Sequence, residues 1–319
     1  MKSSFQGMRT RAAGAIAGVG AALWGAAAWA NDDLIGQPTP GAIDLQPGVT
    51  DLRNQAIWFH DKLLLPITVG ITLLVLGLLI WVVIRYNKRA NPVPAKWSHK
   101  TAVEVAWTLI PVLFLVVISI FSFRLLFDYN DMPKPDVTIK ATGYQWYWGY
   151  EYPDQKVGEY ISNILPEDQA NARGVPYKLA ATEPLVVPVN AVVRVQVTGA
   201  DVIHAFAVPS FGIIADAVPG RLNETWFKAN KIGVYYGNCR ELCGVDHAFM
   251  PIEVHVVSKA DFDAWVAKKG GSVAGAAPAV VEAAPAAAAA AVPTAATASA
   301  TTVAPAAANT PAPSAPAAK

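Results

Sequence analysis

Apolar residues run unbroken in two stretches of this 319-residue chain and recur in short, partly alternating stretches beyond them. Leu63 to Ile84, LLLPITVGITLLVLGLLIWVVI, holds no charge and is long enough to cross a bilayer as a helix. Val105 to Phe123, VAWTLIPVLFLVVISIFSF, is a second run of near-minimal length. Each contains a proline, Pro66 and Pro111, which spanning helices tolerate. After Phe127 the pattern shortens. DVTIKATGYQWYWGYEY (Asp136 to Tyr152) is β-branched and aromatic, and PLVVPVNAVVRVQVTG (Pro184 to Gly199) holds two strand-like runs around Pro188-Val189-Asn190. ETWFKA, IGVYYG and PIEVHVV continue the theme, with Gly, Pro and Asn between the runs. Many short strands with turn signals predict a small β-sandwich or barrel. The stretch from Pro135 to Ala267, about 130 residues, suffices for one such core. Ser258 to Lys269, SKADFDAWVAKK, predicts a short closing helix with Ser258 as its N-cap.

The chain's two ends have their own composition. Lys2, Arg9 and Arg11 precede an Ala/Gly-rich apolar stretch, and Ala28-Trp29-Ala30 offers small residues where a signal peptidase reads; residues 1–30 are expected to be a cleaved export signal. The loop at 85–104 carries Arg85, Lys88, Arg89, Lys96 and Lys100 with no acid before Glu104, so the positive-inside bias puts it in the cytoplasm. The expected layout is a periplasmic segment at 31–62, a transmembrane hairpin at 63–127 and an exported all-β domain at 128–269. The protein then belongs to a bacterial inner membrane, with both mature termini and the β domain in the periplasm. Residues 270–319 are mostly Ala and Pro with only Glu282 and Lys319 charged, the composition of a disordered tail. The net charge of +1 gives no basic footprint for nucleic acid.

The chemistry concentrates in NCRELCGVDHAFMP, Asn238 to Pro251, which holds the chain's two cysteines. The spacing is Cys239-x3-Cys243-x3-His247-x2-Met250. A disulfide is one reading, given an exported location. It would close a very short loop and leave His247 and Met250 without a role. Thiolate and thioether donors together favour copper. Two thiolates can bridge two metals, each then needing a terminal nitrogen. His247 supplies one. Of the five histidines, His60 precedes the first span, His99 lies in the cytoplasmic loop, and alternation in PIEVHVV places His255 with Glu253 on an outer strand face. His204, in ADVIHAFAVPSFG, is left as the second. Met250 is the expected weak axial ligand. A fully coordinated pair of this kind suits electron transfer rather than bond chemistry.

At this point the residues resemble subunit II of the bacterial haem-copper cytochrome c oxidases. The likeness runs from about Leu34 to Lys269 through the hairpin, GYQWYWGYEY, ADVIHAFAVPSFG, DAVPGRLNETWF and the cysteine loop. It implies a cupredoxin-like Greek-key barrel with a dinuclear copper centre, CuA, held by His204, Cys239, Cys243, His247, Met250 and the backbone carbonyl of Glu241. It implies a Mg or Mn ion on the Glu241 carboxylate at the interface with subunit I, electron acceptance from cytochrome c at Trp146, and a proton-pathway mouth at Glu104. Haem would lie only in subunit I; subunit III, cytochrome c and membrane lipid complete the expected partners. Glu151, Asp154, Glu159 and Asp201 are the expected docking carboxylates for a basic cytochrome c. Arg240, Asp246 and Tyr144 depart from the family's usual Ser, Asn and His, and none is a ligand. The rivals are a quinol oxidase subunit, against which both cysteines and Met250 argue, a nitrous oxide reductase, which needs more histidines, and an anchored binding module stapled by a disulfide.

Overall fold

The computed structural model of the protein describes residues 35–272. The expected export signal lies outside them, as does nearly all of the expected tail. Helix α1 spans Asp51–Arg85 and helix α2 spans Thr101–Asn130. Thr50 caps α1, its hydroxyl accepting from the Arg53 amide at 3.0 Å. A π-helical stretch, Phe59–Leu64, lies within α1, and Pro111 sits inside α2. Both helices are long and apolar enough to cross a membrane, and none of their most apolar stretch is buried within the chain. Helices that are apolar all round need a lipid or protein surrounding.

α1 begins well before the apolar run because its first turn has a second job. Thr50 Oγ1 donates to the Phe211 carbonyl at 2.8 Å, and the amides of Val49 and Asn230 donate to Ser210 and Val49 carbonyls at 3.0 and 2.9 Å. Val49 and Leu52 are buried. At the end of α2, the Trp226 indole donates to the Tyr129 carbonyl at 2.9 Å. The hairpin is thus fastened to the β domain at both helix ends.

The β domain is a cupredoxin-like sandwich of two five-stranded sheets, ordered β3-β2-β1-β5-β8 and β4-β10-β9-β6-β7. The first contains β1 (Val137–Tyr144), β2 (Tyr147–Tyr152), β3 (Val157–Ser162), β5 (Val193–Gly199) and β8 (Asn223–Phe227). The second contains β4 (Leu185–Pro188), β6 (His204–Val208), β7 (Ile213–Ala217), β9 (Gly233–Cys239) and β10 (Pro251–Val257). β1 pairs with β5 in parallel and β10 with β4 in parallel, the crossovers of a Greek-key arrangement. β5 shows why the sequence folds this way: Val193, Val195 and Val197 are buried while Arg194, Gln196 and Thr198 are only partly so. Trp148, Tyr150, Phe206, Phe211 and Ile252 fill the space between the sheets, each burial worth about 1.5–3 kcal/mol. Helix α4 (Lys259–Lys268) closes the domain with Ser258 as its N-cap, as its sequence predicts, and buries Phe262 and Val266.

One expectation needs correction. Alternation along β10 does turn Glu253 and His255 away from Ile252 and Val254, but that face is not solvent. Glu253 has no exposure. The excursion between β3 and β4, which includes α3 (Glu167–Arg173), folds over it. Gly174 ends α3 at φ 66°, a left-handed C-cap that glycine adopts without strain. Nothing in the alternation of one strand reports what a distant segment will cover.

Candidate metal centre

Three chain segments converge at one end of the sandwich. β6 starts at His204, β9 ends at Cys239, and the two strands are neighbours in register Phe206↔Cys239. The loop 240–250 returns from Cys239 into β10 and carries Cys243, His247 and Met250. The β1–β2 turn brings Gln145 and Trp146 against that loop. Close approach fixes two glycines: a Cβ on Gly143 would lie 2.8 Å from the His204 ring, and one on Gly244 2.9 Å from the Trp146 ring.

A ring nitrogen of His204 and the two cysteine sulfurs lie within 4.8 Å of one another, and all three residues are buried. The sulfurs are 3.9 Å apart and unbonded, well beyond a disulfide's roughly 2.05 Å. The Cys243 sulfur is 3.5 Å from His247 Nδ1 and 3.5 Å from the Met250 sulfur. The Cys239 sulfur approaches the Glu241 carbonyl at 3.2 Å. The other expected residues adjoin this group through the sulfurs, His247 and Met250 at Cys243 and the Glu241 carbonyl at Cys239.

His204 carries the most direct information. Its Nε2 binds Asp201 Oδ1 at 2.8 Å, so the Nε2 proton goes to the carboxylate and Nδ1 is left with its lone pair free. That Nδ1 is buried and has no hydrogen-bond partner. Burial lowers the imidazole's pKa, but Cys239 on one side and Asp201 on the other outweigh it and leave it raised. Burial also raises Asp201, and hydrogen bonds from His204 and from the Val202 and Gln145 amides more than offset this and hold it down.

The two thiols are driven apart. Burial pushes Cys239 up, yet His204 and the surrounding backbone groups bring it below its ordinary value. Burial pushes Cys243 up, and the charge on Cys239 pushes it further, to about 12. The pocket by itself thus favours one thiolate and resists the second. A cation between the sulfurs removes that repulsion, which is what a thiolate-bridged metal requires. An orphaned buried nitrogen, two free buried sulfurs, a thioether and a second imidazole are a donor set that fits copper.

The other expected residues are distributed more widely. Trp146 is half-buried, and its indole donates to the Cys243 carbonyl at 3.2 Å. Glu241 is exposed. Glu104 lies in the first turn of α2, at the hairpin end away from the β domain, where its carboxylate accepts from the Lys100 amide at 3.0 Å. Of the four docking carboxylates, Asp201 adjoins the centre and Glu159 accepts from Tyr144 at 3.1 Å, close to the same edge. Glu151 pairs with Lys140 at 3.3 Å further along the sheet, and Asp154 lies in the β2–β3 turn, at the opposite end of that hairpin from Trp146. Two roles were missed in the sequence. Asp201 orients the His204 ring, a role its i,i+3 spacing from His204 could have signalled. Gln145 donates from its side chain to the Cys243 carbonyl at 2.8 Å and from its amide to Asp201 at 2.7 Å, and nothing in the sequence pointed to it.

Comparison with known proteins identifies the family. Residues 137–257 match the family described as cytochrome C oxidase subunit II, periplasmic domain, and residues 38–125 match its transmembrane domain. A cytochrome c oxidase subunit 2 from Cereibacter sphaeroides is 41% identical over 285 residues, covering 84% of this chain and 92% of that one. One from Zea mays is 38% identical over 238 residues, covering 72% and 86%. Among solved structures, the periplasmic domain of subunit II of cytochrome oxidase from Bradyrhizobium japonicum is 57% identical, covering 44% of this chain and 96% of that one, with a TM-score of 0.41. With its hairpin, its sandwich and its sulfur-rich loop all accounted for, the chain belongs to the cytochrome c oxidase subunit II family, a component of the haem-copper oxidase complex.

Proposed function

We propose that this chain is the electron-accepting subunit of its oxidase. It takes electrons from cytochrome c and delivers them to haem in subunit I, where oxygen is reduced to water with coupled proton translocation. The observation that carries this reading is the buried, unpartnered Nδ1 of His204 beside two free buried sulfurs. His204, Cys239, Cys243, His247, Met250 and the Glu241 carbonyl would hold a CuA centre. Bound there, a thiolate-bridged copper pair supplies one-electron exchange with little change in geometry.

The chain's own residues supply orientation and exclusion of water. Asp201 fixes the His204 ring, and Gln145 and Trp146 both hold the Cys243 carbonyl. Trp148 packs edge-on to His204 at 6.1 Å between ring centroids and closes the core behind the site. Trp146 reaches from the half-exposed edge directly to a ligand residue, which supports electron acceptance there. The Glu241 carbonyl turns inward while its residue is exposed, leaving the carboxylate free for a Mg or Mn ion shared with subunit I. Glu104 is proposed as the mouth of a proton pathway, and Asp201 and Glu159 as the carboxylates best placed to attract cytochrome c, with Glu151 and Asp154 at longer range. In this reading the β domain and both mature termini are periplasmic and the loop 85–104 is cytoplasmic.

Copper analysis and paramagnetic resonance on the full-length chain within its purified complex test the reading. One unpaired spin coupled to two equivalent copper nuclei is expected. A single-nucleus signal, or a disulfide with no bound copper, would overturn it.

A further inference from the structure

Between α1 and α2, at their β-domain ends, lies a groove of about 550 Å³ lined by Asp51, Asn54, Gln55, Trp58, Phe121 and Arg124, among others. Its depth follows from the apolar runs. A bilayer's hydrocarbon core takes about 20 helical residues, and the uncharged runs Leu63 to Ile84 and Val105 to Phe123 fill it. Arg124 is the first residue past the second run, and Trp58 falls just short of the first. The groove therefore opens at headgroup level of the leaflet on the β domain's side, the level at which tryptophan concentrates.

Its lining is ordered along the membrane normal. The Trp58 and Phe121 rings meet, 5.8 Å between centroids, which sets the register of the two helices. Arg124 is one turn further out than Phe121; at about 1.5 Å per residue it comes level with Gln55 and Asn54 across the groove. Asp51 lies one more turn outward. Among the described residues, neither the Arg124 nor the Asp51 side chain has a hydrogen-bond or ion-pair partner. From the membrane toward water the groove thus offers aromatic rings, then a guanidinium with two amides, then a carboxylate.

We propose that this groove binds one zwitterionic phospholipid, its acyl chain against Trp58 and Phe121, its phosphodiester on Arg124 and its ammonium on Asp51. The order of the lining is the order of such a lipid's parts. An anionic headgroup would satisfy Arg124 but bring no cation to Asp51. An apolar helix from a partner would cover both charges without supplying a counter-charge to either, and burying an unpaired charge is costly.

The test uses the full-length chain in its complex, extracted in mild detergent, with retained phospholipid measured by mass spectrometry after detergent exchange. One ethanolamine- or choline-headgroup lipid per chain is expected for the parent and for Arg124→Lys. Arg124→Gln should retain about tenfold less, since it removes a charge-assisted contact to phosphate. Asp51→Asn should keep a lipid but shift toward phosphatidylglycerol. Copper content reports assembly of each variant; should Arg124→Gln fail to assemble, the Asp51→Asn shift decides alone. Retention unchanged by both substitutions, equal retention of phosphatidylglycerol by the parent, or a photo-crosslinker at Gln55 that captures only polypeptide would each overturn the proposal.

Discussion

His204 and His255 each bind a carboxylate through Nε2, to Asp201 at 2.8 Å and to Glu253 at 2.7 Å. The two pairs are otherwise opposites. In the first the imidazole has no side-chain exposure and the acid is 34% exposed; in the second the acid has none and the imidazole is 29% exposed. In the second pair the acid's polar atoms are satisfied. Glu253 Oε1 accepts from Arg173 at 3.0 Å as well as from His255, and Oε2 accepts from the Ala181 amide at 2.7 Å. In the first pair the buried Nδ1 meets no oxygen or nitrogen partner and His204 has the two cysteine sulfurs beside it. A closed polar cluster holds a segment in place, whereas a buried lone pair left open implies a ligand.

The comparison breaks most visibly at the ligands. His204→Ala should lower copper affinity by more than about a hundredfold, since loss of an outer-shell partner alone costs about 10–100-fold. Copper retained per chain during dialysis against a graded chelator measures it. His255→Ala should leave copper retention at the parent level. Equal losses from both substitutions would remove the distinction drawn between the two pairs.

Asp201→Asn is the next largest effect. The amide preserves size but can present a donor to Nε2, and it no longer holds the proton there. Copper affinity should fall by about 10–100-fold, with the two-nucleus resonance signal retained but broadened. A variant that keeps parent affinity would make Asp201 a docking carboxylate only.

Much of this was legible in the sequence, and unevenly so. Uncharged runs declare membrane helices because every turn must face lipid or a partner. The candidate metal loop was legible because Cys239, Cys243, His247 and Met250 lie within a dozen residues and the chain has few other soft donors. His204 emerged by elimination among five histidines. What stayed hidden depends on contacts between distant segments. Alternation placed Glu253 on an outer face but could not show that residues around α3 would cover it. The runs marked α1's membrane portion but not its earlier start, which is set by the docking of Thr50 and Val49 on the strand connection at Ser210 and Phe211. Gln145 was hidden for the same reason: its partners are Asp201 and Cys243, far along the chain.

The smallest effect concerns the closed cluster and its response to acid. Burial raises the Glu253 carboxyl, while hydrogen bonds from His255 and the Ala181 amide, with the nearby charges of His255 and Arg173, more than offset it and leave it below the ordinary carboxylate range. A group depressed in the folded state contributes stability that is present above its unfolded pKa and is lost as pH falls through the folded value. Glu253 should therefore hold the α3 excursion firmly at neutral pH and release it only in acid. Glu253→Gln removes that term. It should cost about 1–3 kcal/mol of local stability at neutral pH, because a buried charge-assisted network loses its acceptor. Hydrogen exchange at the Ala181 amide and along β10 reads this directly, and its protection should then depend less on pH in the acid range than in the parent. The copper resonance should be unchanged, since no donor at the metal loop is moved. A shifted resonance in Glu253→Gln would mean that the Glu253 cluster and the metal loop are coupled through the start of β10, and that the closed pair and the open one are parts of a single device.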